Sequence, residues 1–183
     1  MKLLLITLTI LQSLFNTLEK KTLESDFSIS IAQEQSQPMT YTGSLSMRSQ
    51  KFALEFWGME AAYDGKTLYI YSEDTEELTL STPSEEELLE TNPFLYAQAL
   101  LPVCQYAEKT IADKTQITLT PKDQTHGVTK FVLRIVTASL LPVSVEIHEG
   151  NKITTLRLNN AQYKNECPSF TIQKPEAFIN DLR

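Results

Sequence analysis

The feature that most constrains this chain is a two-residue alternation of apolar and polar side chains. It recurs in segment after segment and is broken by short turns. In DFSISI, Phe27, Ile29 and Ile31 alternate with Ser28 and Ser30; in MTYTGSLSM, Met39, Tyr41, Leu45 and Met47 alternate with Thr and Ser. Phe52, Leu54 and Phe56 alternate with Ala53, Glu55 and Trp57. Later, Ile117 and Leu119, then Phe131, Leu133 and Ile135, then Val143, Val145 and Ile147, and finally Ile153 to Asn159 continue the pattern, with SFTIQ as a last short strand. Period two is what a strand with one buried face produces. Parallel neighbours need a long crossover, so short links force antiparallel ones. The expected fold is mainly β: a curved antiparallel sheet of about ten to eleven strands, interrupted once by helices. A twisted sheet of that size tends to curl or close.

The stretch YDGKTLYIYSEDTEELTL is the exception within the pattern. Asp64-Gly65 is a two-residue turn signal. In the strand after it, Leu68 and Ile70 point to one face and Tyr69 and Tyr71 to the other, so both faces are apolar. Curling resolves this if one side lines a concave interior and the tyrosines pack outside with their hydroxyls in water.

Residues 81–103 change character. Ser84 with Glu87 reads as a capping box, and Glu85 to Glu87 sit where a helix dipole favours anions. Thr91 or Asn92 then caps a second helix with Pro93 at its first position, and Pro102 ends it. In that helix, PFLYAQALL, almost every side chain is apolar. A helix without a polar face is either an ordinary buried helix or the cover of an apolar cavity.

At the N-terminus, MKLLLITLTIL has the positive start and short apolar run of an export signal. The expected division is a signal over 1–15 and a single domain over 16–183, beginning with a helix from Asn16 to Ser25. The alternative is a helix that packs Ile10, Leu11, Leu14, Phe15 and Leu18 onto the core.

Composition excludes several function classes. Of 183 residues, 21% are charged, and the net charge is −7. An acidic chain without basic clusters does not bind nucleic acid through its phosphates. Its five glycines form no phosphate-cradling run. His126 and His148 lie beside THG and IHEG turns without ligand-spaced partners. They read as solvated turn residues, and neither a metal site, a cofactor site nor an enzyme is expected. Cys104 and Cys167 allow one pairing only: a disulfide in an oxidising compartment, or two inert thiols in a reducing one.

Four segments in order, DGKTLYIY, NPFLYAQALL, ITLTPK and FTIQKPEAFINDLR, together with an N-terminal helix ending in SDF, resemble the LolA family of periplasmic lipoprotein carriers, in register from about Leu18 to Arg183. The resemblance implies an unclosed β-barrel with a helical lid and a cavity for acyl chains. Here the lining and lid would be Phe52, Leu54, Phe56, Leu68, Ile70, Phe94, Leu95 and Leu100. It further implies a monomer in the periplasm, with acylated lipoproteins as cargo. That cargo would come from an inner-membrane ABC transporter and pass to an outer-membrane acceptor. The family's transfer-related Arg-Pro turn has Arg48 as its nearest match, one place early and without the Pro. A structural or interaction module with a filled sheet core is the alternative.

Overall fold

The computed structural model describes residues 2–33, 37–123 and 127–183, with side chains from Ile10 onward. His126 lies outside the described residues. The elements are α1 (Lys2–Lys20), β1 (Thr22–Gln33), β2 (Met39–Arg48), β3 (Lys51–Phe56), β4 (Met59–Tyr63), β5 (Leu68–Ser72), β6 (Glu77–Ser81), α2 (Glu85–Thr91), α3 (Pro93–Leu100), β7 (Cys104–Ile111), β8 (Lys114–Pro121), β9 (Val128–Val136), β10 (Pro142–Glu149), β11 (Lys152–Lys164) and β12 (Phe178–Asp181). Among the described residues they form one twelve-stranded sheet, in the order β12-β6-β5-β4-β3-β2-β1-β11-β10-β9-β8-β7. The sheet is open: β12 and β7 are its two edges.

Two meanders make up the sheet, β1 to β6 and β7 to β11. They join where β1 pairs antiparallel with β11, from Thr22↔Lys164 to Gln33↔Lys152. α2 and α3 bridge the two meanders in sequence, between β6 and β7. The capping box is present as expected: the Ser84 side chain accepts the Glu87 N–H, and the Glu87 carboxylate accepts the Ser84 N–H at 2.7 Å.

The interior holds one main core. Leu11, Leu14, Phe15 and Leu18 of α1 are buried with Leu23, Met47, Phe52, Phe131, Leu133 and Ile135. These are the side chains that the alternative N-terminal helix would pack. The helix also stops earlier than Ser25, because Thr22 already pairs with β11.

The far end of the chain corrects two expectations. SFTIQ forms no strand; the last strand is Phe178–Asp181, and it runs parallel to β6. β11 ends mid-sheet while β6 lies beyond five intervening strands. The residues between cross the outer face as a strap: Lys174 Nζ meets Glu60 Oε1 at 2.5 Å and sits 4.5 Å above the Tyr71 ring. A parallel strand needs such a crossover. Phe170 in the strap is buried, as are Ala62, Leu78 and Leu80 on the face it crosses. The second apolar face of β5 thus meets the strap, not open water. Tyr69 is half-buried, and its hydroxyl donates to Asp64 Oδ2 at 3.1 Å. The Asp64 loop is longer than two residues: its Oδ1 accepts the N–H groups of Lys66 and Thr67, each at 2.8 Å.

His148 is likewise not a turn residue. It lies in β10, with Nε2 3.6 Å from Glu146 Oε2. Glu146 also bonds Arg134, which donates to Gln116 Oε1 at 3.0 Å across the outer face. Burial works to raise the Glu146 carboxyl, but Arg134 and His148 hold it below its ordinary value of 4.5.

Three outcomes are expected. Leu14 is fully buried, so Leu14→Ala should lower urea-unfolding stability by ~2–5 kcal/mol. A chain beginning at Asn16 loses Leu11, Leu14 and Phe15 together and should melt well below the full chain; equal melting temperatures would show that α1 is dispensable. Glu146, its folded value depressed, contributes stability that is fully present above pH 4.5 and is lost as pH falls through the lower folded value. Glu146→Gln should therefore cost about 1 kcal/mol at neutral pH. The gap to the parent should close in acid, read from urea midpoints across a pH series.

Candidate functional site

The concave side of the sheet is not completely filled. A cavity of about 320 Å³ lies between the inner faces of β1, β2, β3, β10 and β11 and the corner where α2 meets α3. Period two builds the wall. Phe27, Ile29 and Ile31 project from β1, Tyr41, Leu45 and Met47 from β2, and Phe52, Leu54 and Phe56 from β3; Val145, Ile147 and Leu156 close the other side. Glu90, Thr91, Asn92, Pro93 and Phe94 form the helical end.

Gly43 shapes this wall. A Cβ there would lie 2.1 Å from the Glu55 carbonyl oxygen and 2.8 Å from both the Phe27 ring and Phe56 Cβ. Only glycine lets the Phe27 ring cross β2 and approach Phe56, with centroids 6.5 Å apart. At the same end of the sheet, Trp57 on the β3–β4 turn is 83% exposed and meets the Tyr41 ring at a tilt, with centroids 5.8 Å apart.

α3 serves both as cover and as core. Phe94, Ala97 and Leu100 are buried, whereas Gln98 and Ala99 face out, so the helix has the solvent side that its sequence conceals. Tyr96 meets Phe131 edge to face at 6.3 Å. The Asn92 Oδ1 accepts the N–H groups of Phe94 at 3.0 Å and Leu95 at 3.2 Å, and so starts the helix at the cavity wall. Burial pushes the Tyr96 hydroxyl up, and the charges of Glu149 and Glu90 push it further.

Of the residues expected at the site, Phe52, Leu54, Phe56 and Phe94 come together on the cavity wall. Leu68, Ile70, Leu95 and Leu100 do not. Leu68 packs half-buried at the edge of the core, Ile70 and Leu95 are half-buried elsewhere, and Leu100 is buried within the core. β4 separates β5 from β3, so the Leu68–Ile70 face lies too far along the sheet. Arg48 lies at the opposite end of β2 from Tyr41, where its Nη1 donates to the Asn165 carbonyl at 3.2 Å. It ties the sheet to the start of the strap and does not line the cavity.

Of the two states open to the cysteines, the structure holds the free one: both are thiols, Cys104 buried and Cys167 exposed. Cys104 opens the edge strand β7, while Cys167 follows β11, and β8, β9 and β10 stand between those strands. Burial raises the Cys104 thiol, which keeps it protonated and unreactive. Among the described residues no group of His, Cys, Asp or Glu side chains could hold a metal ion. No described helix is long and apolar enough to cross a membrane.

The cavity residues that sequence reasoning missed are those of β1, β2, β10 and β11. Their alternation marked them as inward-facing. The non-local β1–β11 pairing that gathers them has no local signature.

The two ends of α3 should respond differently to truncation. Leu100→Ala, in the filled core, should cost ~2–5 kcal/mol and leave the affinity of the folded protein for an apolar probe unchanged. Phe94→Ala enlarges a space that already exists, so the probe's affinity should shift several-fold. Urea unfolding beside a probe titration separates them; identical profiles for both variants would mean that Phe94 does not border a usable space.

No protein-family model and no curated protein matches the sequence. Solved structures do match. An uncharacterized conserved protein from Thermus thermophilus aligns over 93% of this chain and 98% of its own, at 12% identity and a TM-score of 0.62. The lipoprotein LppX of Mycobacterium tuberculosis aligns over 91% and 98%, at 14% identity and 0.51. The LolA superfamily protein NE2245 of Nitrosomonas europaea aligns over 88% and 97%, at 10% identity and 0.44. At such identities the first two likenesses speak for the fold alone. That fold is the unclosed antiparallel sheet, curved around helices, that the resemblance to LolA implied.

Proposed function

We propose that this protein is a non-enzymatic carrier that shelters an acyl chain in its cavity. The observation that carries the reading is the apolar space of about 320 Å³ under the α2–α3 corner. A module whose sheet core is simply full would have no such space. Ligand pockets run from ~300 to 1,000 Å³. This one therefore suits a single chain in the closed form, and several chains would need the corner to open.

The energetics suit loading and release. Ten buried methylenes give ~8 kcal/mol, which exceeds the association cost only in the lower part of its ~4–15 kcal/mol range. The net affinity is modest, as a carrier requires. With no cation among the described residues of the wall, the hydrocarbon itself supplies the binding energy.

By the LolA resemblance, the cargo is an acylated lipoprotein in the periplasm. The protein takes it from an inner-membrane ABC transporter and delivers it to an outer-membrane acceptor. The export signal belongs to this reading.

A fluorescent fatty-acyl probe should bind the purified protein saturably, at one site and displaceably. Leu54→Trp, which fills the cavity from β3, should abolish binding while the melting temperature holds or rises. Probe binding that is non-saturable, or that survives Leu54→Trp unchanged, would leave the filled-core interaction module as the better account.

A further inference from the structure

Among the described residues, Asn92 is the only polar one in the cavity wall that is strongly buried, at 3% exposure. Its hydrogen bonds are almost completely assigned. Oδ1 accepts the Phe94 and Leu95 N–H groups at 3.0 and 3.2 Å. Its backbone N–H donates to the Leu88 carbonyl at 2.9 Å, and its own carbonyl accepts the Tyr96 N–H at 3.0 Å. The amide orientation is therefore fixed, since the reverse would set donors against donors. That leaves Nδ2 buried without a partner among the described residues, and so enclosed that a group in the cavity reaches it only when the α2–α3 corner gives way.

The cap alone does not call for that donor. Ser or Asp caps a helix as well as Asn does. Each supplies the acceptor, but neither would bring a buried amide N–H₂. An unmet buried donor is a standing cost to the fold, so a ligand that supplies an acceptor gains there.

The surroundings say which acceptor. Phe27, Ile29, Met47 and Phe94 are apolar wall, and no described Lys or Arg lines it. The nearest formal charge on the wall is negative, Glu90, two residues before Asn92. Glu149 adds to the same field around Tyr96. A carboxylate placed there would be repelled, whereas an uncharged carbonyl would not. We infer that Asn92 Nδ2 donates to the carbonyl oxygen of an esterified or amidated acyl chain whose hydrocarbon lies in the cavity, and that the site disfavours the free fatty acid. This rests on the acyl-binding reading and deepens it: chain burial supplies the affinity, and Asn92 supplies head-group selection.

Three fluorescent probes with the same tail test it: a methyl ester, the free acid, and an analogue that ends in hydrocarbon. The wild-type protein should bind the ester better than the acid. Asn92→Asp and Asn92→Ser keep the cap acceptor and remove the amide donor. Each should weaken the ester about three- to tenfold and leave the hydrocarbon-ended probe unchanged. The wild type offers a second readout that needs no variant: the infrared band of a ¹³C-labelled ester carbonyl should shift to lower frequency on binding. Equal weakening of both tails, unweakened ester binding, or an unshifted band would overturn the Asn92 assignment. Failure of the hydrocarbon-ended probe to bind the wild type would instead overturn the acyl-binding reading beneath it. Competition with a synthetic phospholipid and with an acylated cysteinyl peptide tells apart the two sources of such a carbonyl. Displacement by either supports the assignment, and displacement by neither overturns it.

Discussion

The structure depends on the pairing of β1 with β11. These two strands come from opposite ends of the chain, and each is the inner edge of a meander. Their ladder runs from Thr22↔Lys164 to Gln33↔Lys152 and makes one twelve-stranded sheet of two smaller ones. Without it, β1 and β11 would be unpaired edges, and neither half could form a concave surface. With it, the accumulated strand twist curls the whole sheet, and Phe27 and Ile29 stand opposite Leu158 and Leu156. The cavity therefore exists because of a contact more than a hundred residues long in sequence, which places its cost in loop closure.

What goes inside the curl explains why it is only partly full. α1 brings Leu11, Leu14, Phe15 and Leu18 to one end, and α3 brings Phe94, Ala97 and Leu100 across the middle. α2 buries nothing. Two helices with one apolar stripe each cannot fill the concave side of so wide a sheet, and the remainder is the apolar space beside β1, β2 and β3. The outer face follows the opposite logic. There the chain lays its own strap over β2 to β5, so that Ala62, Leu78, Leu80 and Phe170 are buried outside the main core. The protein covers its convex side with its own chain and leaves its concave side short of atoms.

Much of this was legible in the sequence, because most of it is local. Alternation located the strands, short links set their antiparallel sense, and Ser84 with Glu87 and Asn92 with Pro93 marked the starts of the two short helices. The failures share a cause. SFTIQ alternates like a strand, yet Thr171 and Ile172 lie across the outer face, because the sheet has no free edge where β11 ends. Leu68 and Ile70 face inward but stand two strands from the cavity, since period two gives the face and not the position along the sheet. Cys104 and Cys167 could be counted but not located. The orphaned Nδ2 of Asn92 could not be foreseen, because its state depends on atoms of three elements meeting at one corner.

That corner is also where the wall can move. Opening the sheet between β1 and β11 would break a long ladder of backbone hydrogen bonds. Moving α1 would expose four buried apolar side chains. α2 has no buried residue, and polar caps at Ser84 and Asn92 hold it at its two ends. Displacing it exposes little apolar surface, and the hydrogen bonds lost are near water, which replaces them. Local opening free energies follow such differences in buried contact. The orphaned amide makes the balance finer still, because in the closed, empty form Asn92 Nδ2 has lost water and gained nothing. A bound carbonyl and water alike satisfy it only once the corner has given way. The same atom thus disfavours the closed empty form relative to both alternatives, which are the two that a carrier must visit.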